Sequence, residues 1–157
     1  MGMNERMAYT FQQLTADDLD RLRQLLRLFG TAFDDVETYQ GAVPCDDYLR
    51  SLLAKPHIII IVAERDGEIV GGLAAYELEK FERERRELYI YDLAVAEAHR
   101  RRGVARGLID TLKVIARQRR AYVIFVQADR GDRPAIALYE SLGTREDVYQ
   151  FDFIVDN

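Results

Sequence analysis

Glu87 to Ile109 reads ELYIYDLAVAEAHRRRGVARGLI, and its three parts decide the fold. Leu88 to Val95 (LYIYDLAV) is short, aromatic and β-branched, the composition of a buried strand. Ala96 to Arg102 is a cation-rich turn, and Gly103-Val104-Ala105 opens a helical pattern. A strand feeding a glycine-bearing helix start is a ready anion site. The first amides of a helix lack intrahelical acceptors, the helix dipole adds partial positive charge, and glycine removes the Cβ that would hold a ligand away. The bland alternative is a solvated basic turn. Neither Gly-x-x-x-x-Gly-Lys-Ser/Thr nor Gly-x-Gly-x-x-Gly occurs in the chain.

Toward the N-terminus, Arg65-Asp-Gly-Glu68 supplies an Asp-Gly hairpin turn between Ile58–Glu64 and Ile69–Leu78, both strand-like. Glu79 to Arg86 is a charge run expected at a solvated hairpin end. Tyr9 to Gln13 is a weak first strand. Thr15 with Asp18 resembles a capping box, with Thr15 as N-cap. Leu19, Leu22, Leu25, Leu26 and Phe29 then trace one helical face that Gly30 is expected to end. Residues 30–45 read as an irregular connection, and Cys45 or Asp46 begins a short helix that stops before Pro56.

Toward the C-terminus, Val104, Leu108, Ile109, Leu112 and Ile115 form the inner stripe of a long helix. Tyr122 to Ala128 is the next strand. Asp132 and Pro134 open a helix through Leu142, closed at Gly143. Arg145 to Val155 alternates apolar and polar residues and is expected to form one or two closing strands. The predicted order is β-α-α-β-β-β-α-β-α-β.

At 157 residues and 48% apolar composition, one domain spanning residues 1–157 is expected. No apolar run reaches the roughly 18 residues of a membrane span, and the N-terminal sequence shows no hydrophobic leader. The single cysteine, Cys45, excludes an internal disulfide, and a cytoplasmic location is expected. His57, His99 and Cys45 have no metal-ligand spacing, so no metal is expected. The net charge of −5 argues against a nucleic-acid partner and suits a cationic substrate. From Arg100 to Arg120, Asp110 is the one acid in a basic stretch, so the acidic excess lies elsewhere.

Arg100 to Ala105 (RRRGVA) fits Arg/Gln-x-x-Gly-x-Gly/Ala, the pyrophosphate-binding signature of the GNAT superfamily of N-acetyltransferases. The order of elements resembles the GNAT order over nearly the whole chain. Ala137-Leu-Tyr-Glu-Ser-Leu-Gly143 resembles the superfamily helix whose tyrosine hydroxyl lies near the coenzyme A sulfur. Tyr89–Val95, Tyr122–Asp129 with Gly131-Asp132, and Leu28-Phe-Gly30 through Thr38-Tyr39 are similar to the small aminoglycoside 3-N-acetyltransferases. The resemblance implies an α/β fold of mixed α+β character, with a central mixed twisted sheet flanked by helices. It also implies acetyl-coenzyme A as co-substrate, an aminoglycoside as small-molecule acceptor, and a homodimer. By the same likeness, acetyl-coenzyme A lies in a splay between the strand ending at Val95 and the one beginning near Tyr122. Backbone groups of Leu93, Ala94 and Val95 meet its pantetheine arm, and Arg100, Arg101, Arg102, Gly103, Val104 and Ala105 hold its pyrophosphate.

Acetylating an amine requires removal of a proton, donors for the oxyanion, and a proton for the departing thiolate. Tyr139 is the expected acid at the sulfur; otherwise it is a tyrosine packing its ring and wetting its hydroxyl. Asp92 interrupts an apolar, aromatic strand, where an ionised carboxylate is expensive unless partnered. It is either a base facing a cleft or half of a structural ion pair. Tyr91 lines the same cleft or packs. A polyamine sugar calls for carboxylates and aromatic walls, and Asp35, Tyr39, Asp129 and Asp132 are the preferred candidates. Asp132 is equally an N-cap. Asp34, Glu37 and Glu82 read as solvated. The alternative acceptors are polyamines, other small amines or protein amines, and a non-catalytic acyl-coenzyme A-binding module is a further alternative.

Overall fold

The computed structural model describes residues 8–156. They fall into two compact units, Met1–Gln127 and Ala128–Asn157.

In the first unit five strands run in sequence order across one sheet: β1 (Thr10–Gln13), β2 (Ile58–Arg65), β3 (Glu68–Lys80), β4 (Arg85–Val95) and β5 (Ala121–Val126). The first three pairings are antiparallel and β4–β5 is parallel. The parallel step needs a crossover, and α4 (Val104–Gln118) supplies it. Helices α1 (Leu19–Ala32), α2 (Val36–Gln40) and α3 (Asp46–Leu53) fill the β1–β2 connection.

Adjacent glycines on β3 show which helix lies on which face. A Cβ on Gly72 would run into the Leu25 side chain of α1, and one on Gly71 would come within 3.3 Å of Val104 of α4. Neighbouring residues of a strand point to opposite faces. One face therefore carries the Leu22, Leu25, Phe29, Leu49, Leu53, Ile60 and Val62 core, and the other carries Ile59, Ile61 and Leu73 beneath the buried stripe of α4.

The hairpin at Asp66-Gly67 forms as expected, with φ values of +52° and +79°. Three expectations fail for local reasons. Asp18, not Thr15, is the N-cap of α1, because residues 15–18 close a turn of their own, with the Asp18 amide donating to the Thr15 carbonyl at 3.0 Å and the Asp18 carboxylate accepting the Thr15 amide at 2.7 Å, and the helix begins after it at Leu19. Gly30 does not stop α1; it lies inside the helix, where its missing side chain admits Tyr39, whose Cβ would be 3.4 Å from an added methyl. The expected irregular connection contains α2, capped by Asp35.

In the second unit, α5 (Arg133–Leu142) starts at Asp132, whose side chain accepts the Ala135 amide at 3.2 Å, and ends at Gly143. Arg145 to Val155 forms no strand among the described residues, and Val148, Phe151, Phe153 and Val155 are exposed. Alternation marks two faces of a segment but supplies no hydrogen-bonding partner. Among the described residues no helix is long and apolar enough to cross a membrane.

Candidate functional site

The register of β3 on β4 runs Leu73 opposite Leu93, Ala74 opposite Asp92, then Ala75 opposite Ile90, leaving Tyr91 without a partner. This is a β-bulge, and it reverses the parity of everything that follows. With strict alternation Asp92 would share the face of buried Ile90, under α4. The bulge moves it instead to the face of Ala74 and Ile60, beside α1 and α2.

There Asp92 is half-buried, and the Tyr39 hydroxyl donates to its Oδ1 at 2.9 Å. Burial raises the Asp92 carboxyl above the usual range, and the Tyr39 hydrogen bond opposes this without cancelling it. Tyr39 is held by α2 against Phe29 and Phe33 of the α1 end, at ring separations of 5.9 and 5.6 Å. Burial, then the carboxylate, keeps its hydroxyl well above the ordinary phenol range, so it remains a donor. No cation pairs with Asp92 among the described residues. Among the described residues, then, the partner of Asp92 is a phenol and not a guanidinium.

Around it stand more aromatic rings than the sequence led us to expect. Tyr91 meets Tyr76 edge to face at 6.0 Å and Tyr89 at 5.7 Å, and Tyr89 stacks on Phe125 at 4.7 Å. Tyr76 and Tyr89 face each other in the ladder on the same face as Asp92. They read only as strand residues in the sequence. The signal that finds them is cross-strand register, which a single strand does not reveal.

Pairing of β4 with β5 ends at Ile90–Val126, so Tyr91 to Val95 has no strand on its outer side among the described residues. The β4–β5 ladder stops short of the end of β4, as an opening between the two strands there requires. Beyond it, Ala96 pairs back to Val70, and a short 3-10 turn (Glu97–His99) leads into the basic turn. Arg100 donates to the Val95 carbonyl at 3.1 Å, tying the turn to the strand end, and all three arginines of the turn, Arg100, Arg101 and Arg102, are exposed. The Tyr9 hydroxyl and His99 Nδ1, 3.0 Å apart, tie it to the residue just before β1. Gly103 caps α4 with φ +80°, a conformation in which a Cβ is strained. The first capping bond runs from Gly107 to Gly103, which leaves the Val104, Ala105 and Arg106 amides without intrahelical acceptors. A cavity of about 100 Å³ opens beside them, lined by Arg102, Gly103, Arg106 and Gly107, by Tyr9 and Phe11, and by one carboxylate, Asp110. The free amides and the Arg102 and Arg106 guanidiniums are of the kind a pyrophosphate needs, with Asp110 the one opposing charge in the lining.

The other candidates are separately placed. Asp35 caps α2 through the Thr38 amide at 3.2 Å. Asp34 and Glu37 are exposed, and Glu82 pairs with Arg85 at 3.1 Å. In the second unit, Asp132 is the α5 cap and the Asp129 carbonyl accepts its amide at 2.9 Å, leaving the Asp129 side chain exposed. Tyr139 lies on α5, partly buried, and burial followed by the charge of Asp132 pushes its hydroxyl up to about 12. No group of metal-ligating side chains occurs among the described residues.

Residues 19–144 match the model of the acetyltransferase (GNAT) family. An aminoglycoside acetyltransferase from an uncultured soil metagenomic sample is 54% identical, with a TM-score of 0.93 over 94% of this chain and 99% of that one. A second soil metagenomic aminoglycoside acetyltransferase, solved in complex with sisomicin, is 31% identical, with a TM-score of 0.89 over 96% and 99% of the two chains. Among curated proteins, the uncharacterized N-acetyltransferase YhfO of Bacillus subtilis is 26% identical over 136 residues, 87% of this chain and 89% of that protein.

Proposed function

Because this chain belongs to the GNAT family of acetyltransferases, whose members use acetyl-coenzyme A as co-substrate, we propose that it acetylates the 3-amino group of the deoxystreptamine ring of aminoglycosides. The observation that carries this reading is Asp92: a half-buried carboxylate raised by burial, held by a phenol and without a cation among the described residues. The likeness to two aminoglycoside acetyltransferases supports the substrate class. The 3-position rests on the resemblance of the Tyr89–Val95 and Tyr122–Asp129 segments to that branch.

Acetyl-coenzyme A would supply the acetyl group as a thioester. Arg101, Arg102 and the amides of Gly103 to Ala105 would hold its pyrophosphate, and the unpaired edge from Leu93 to Val95 would meet its pantetheine arm. Asp92 takes the proton of the acceptor amine, directly or through one water, as the nitrogen attacks the carbonyl. A carboxyl raised by burial is a stronger base than a solvent-exposed one. Tyr139 is the proposed donor to the departing thiolate. With its hydroxyl at about 12 it keeps its proton at neutral pH. Asp35, Asp129 and Asp132 are proposed secondary contacts for the remaining ammonium groups. Acetylation removes one positive charge from a drug that holds RNA phosphates through such charges, which would confer resistance.

The test is thiol release from acetyl-coenzyme A with gentamicin, spermidine and a lysine peptide in parallel, with the product mapped by NMR. Turnover with gentamicin and acetylation at position 3 is the expected result. Turnover with spermidine or the peptide alone overturns the antibiotic assignment, and a product acetylated elsewhere on the drug overturns the position.

A further inference from the structure

We propose that Tyr76 and Tyr91 together form the aromatic seat for the cationic acceptor beside Asp92, and that Tyr76 sets the preference for amines carried on a saturated ring. This rests on Asp92 being the acceptor site, as proposed above.

Tyr76 stands opposite Tyr89 in the β3–β4 ladder, two residues from Ala74, which stands opposite Asp92. Tyr76 and Asp92 therefore share a face and are diagonal neighbours across one strand pair. The residue directly opposite the carboxylate is an alanine, too small to fill the space above it. Tyr91, the bulged residue, is 64% exposed and Tyr76 is 37% exposed. Their rings meet edge to face at 6.0 Å and 89°. The ring behind them, Tyr89, is fixed by its stack on Phe125. The array has an anchored back and an uncovered front.

An uncovered pair of aromatic rings gains little for the fold, since its apolar area remains in water. It is useful to a ligand with two properties. The negative ring faces attract an ammonium group, most strongly when it is partly desolvated. The same faces accept the C–H surface of a saturated ring, as flat aromatic surfaces accept any apolar face. An amine on a sugar or cyclitol ring offers both, whereas a linear polyamine or a lysine side chain offers the charge without the broad ring face. Burial, followed by the charge of Asp92 at Tyr76 and by Tyr91 and then Asp92 at Tyr89, holds both hydroxyls above the ordinary phenol range, consistent with one shared site.

The experiment compares wild type with Tyr76→Ala, Tyr91→Ala and Tyr76→Phe, using steady-state kinetics and calorimetric binding of gentamicin and spermidine. Tyr76→Ala and Tyr91→Ala are expected to raise the KM for gentamicin by about tenfold, with kcat and the KM for acetyl-coenzyme A little changed. The gentamicin-to-spermidine ratio of kcat/KM should fall in Tyr76→Ala, and Tyr76→Phe, which keeps the ring, should restore both KM and ratio. Because Tyr91 lies outside the ladder, its variant keeps the test valid if Tyr76→Ala lowers Tm. A gentamicin KM within twofold of wild type in both alanine variants overturns the seat while the activity stands. Gentamicin that binds through these rings without being acetylated overturns the activity while the seat stands. Neither binding nor turnover in wild type overturns both.

Discussion

Glu77 and Asp92 lie on facing strands of one antiparallel pair, and both are withdrawn from water, yet the fold treats them oppositely. The Glu77 side chain, 9% exposed, is neutralised by Arg86 at 3.0 Å and Arg119 at 2.6 Å. Arg86 also reaches the Arg119 carbonyl at 3.2 Å, and Arg119 hydrogen-bonds the Pro56 carbonyl. One carboxylate thus joins β3, β4, the end of α4 and the loop before β2. Asp92 receives a neutral phenol and has no cation beside it among the described residues. A carboxylate surrounded by guanidiniums stays charged and acts as a tie. A carboxylate given burial and one neutral donor becomes a better base, and its charge is a burden on the fold.

The largest test of that difference is Asp92→Asn. Loss of a general base lowers kcat by about 10²- to 10⁴-fold, with coenzyme binding intact. Stability should move the other way. Because the folded-state pKa of Asp92 is raised, its stabilising contribution is present below the unfolded carboxylate pKa and is lost as pH rises through the folded value. Above the folded value the wild type has lost it, so there Asp92→Asn should melt at the same temperature or higher. That advantage should shrink on acidification. Normal turnover in this variant removes Asp92 from the mechanism.

Glu77→Gln is the mirror experiment. It leaves two guanidiniums facing one neutral amide. Complete burial makes such a loss large, but Arg86 is 43% exposed, so the expected cost is about 2 kcal/mol, read by denaturant melts. Turnover at a temperature where the variant is folded should stay within about threefold of wild type. A fall in kcat like that of Asp92→Asn, without loss of stability, would dissolve the contrast between the two acids.

Tyr39→Phe sharpens the comparison by removing the one partner among the described residues that favours ionised Asp92. The hydrogen bond lowers the Asp92 pKa, so its loss leaves burial unopposed and the pKa rises further. The acidic limb of the kcat/KM profile should move to higher pH in Tyr39→Phe and stay in place in Glu77→Gln. An unmoved limb in Tyr39→Phe would mean that the hydroxyl does not bear on the titrating group.

The two acids also mark what the sequence could and could not reveal. Local signals placed the helix from Asp46, the turn at Asp66-Gly67, the strand through Asp92, the capped start at Asp132 and the glycine before α4, because each depends on neighbours in the chain. Asp92 stood out since an acid inside YIYDLAV breaks a local rule. Glu77 did not, because its partners Arg86 and Arg119 are 9 and 42 residues away, and nothing near Glu77 signals them. The bulge at Tyr91 and the pairing of Tyr76 with Tyr89 arise from register between strands. The closing strand failed for the related reason that alternation needs a ladder to become a strand. Gly30 was legible as a helix breaker by type, but its role is set by Tyr39, nine residues further on.

Gly30→Ala gives the smallest effect and tests how finely Asp92 is supported. In a helix interior, alanine in place of glycine should add up to about 1 kcal/mol of stability. The new methyl would lie 3.4 Å from the Tyr39 Cβ, an ordinary van der Waals contact. We therefore expect a small gain in Tm with the acidic limb of the rate profile unmoved. A gain in Tm accompanied by the shift predicted for Tyr39→Phe would show instead that the missing methyl keeps Tyr39 within hydrogen-bonding reach of Asp92. A glycine of α1 would then be kept at some loss of helix stability for the sake of a carboxylate on β4, and the support of the base would extend through α2 to the helix that precedes it.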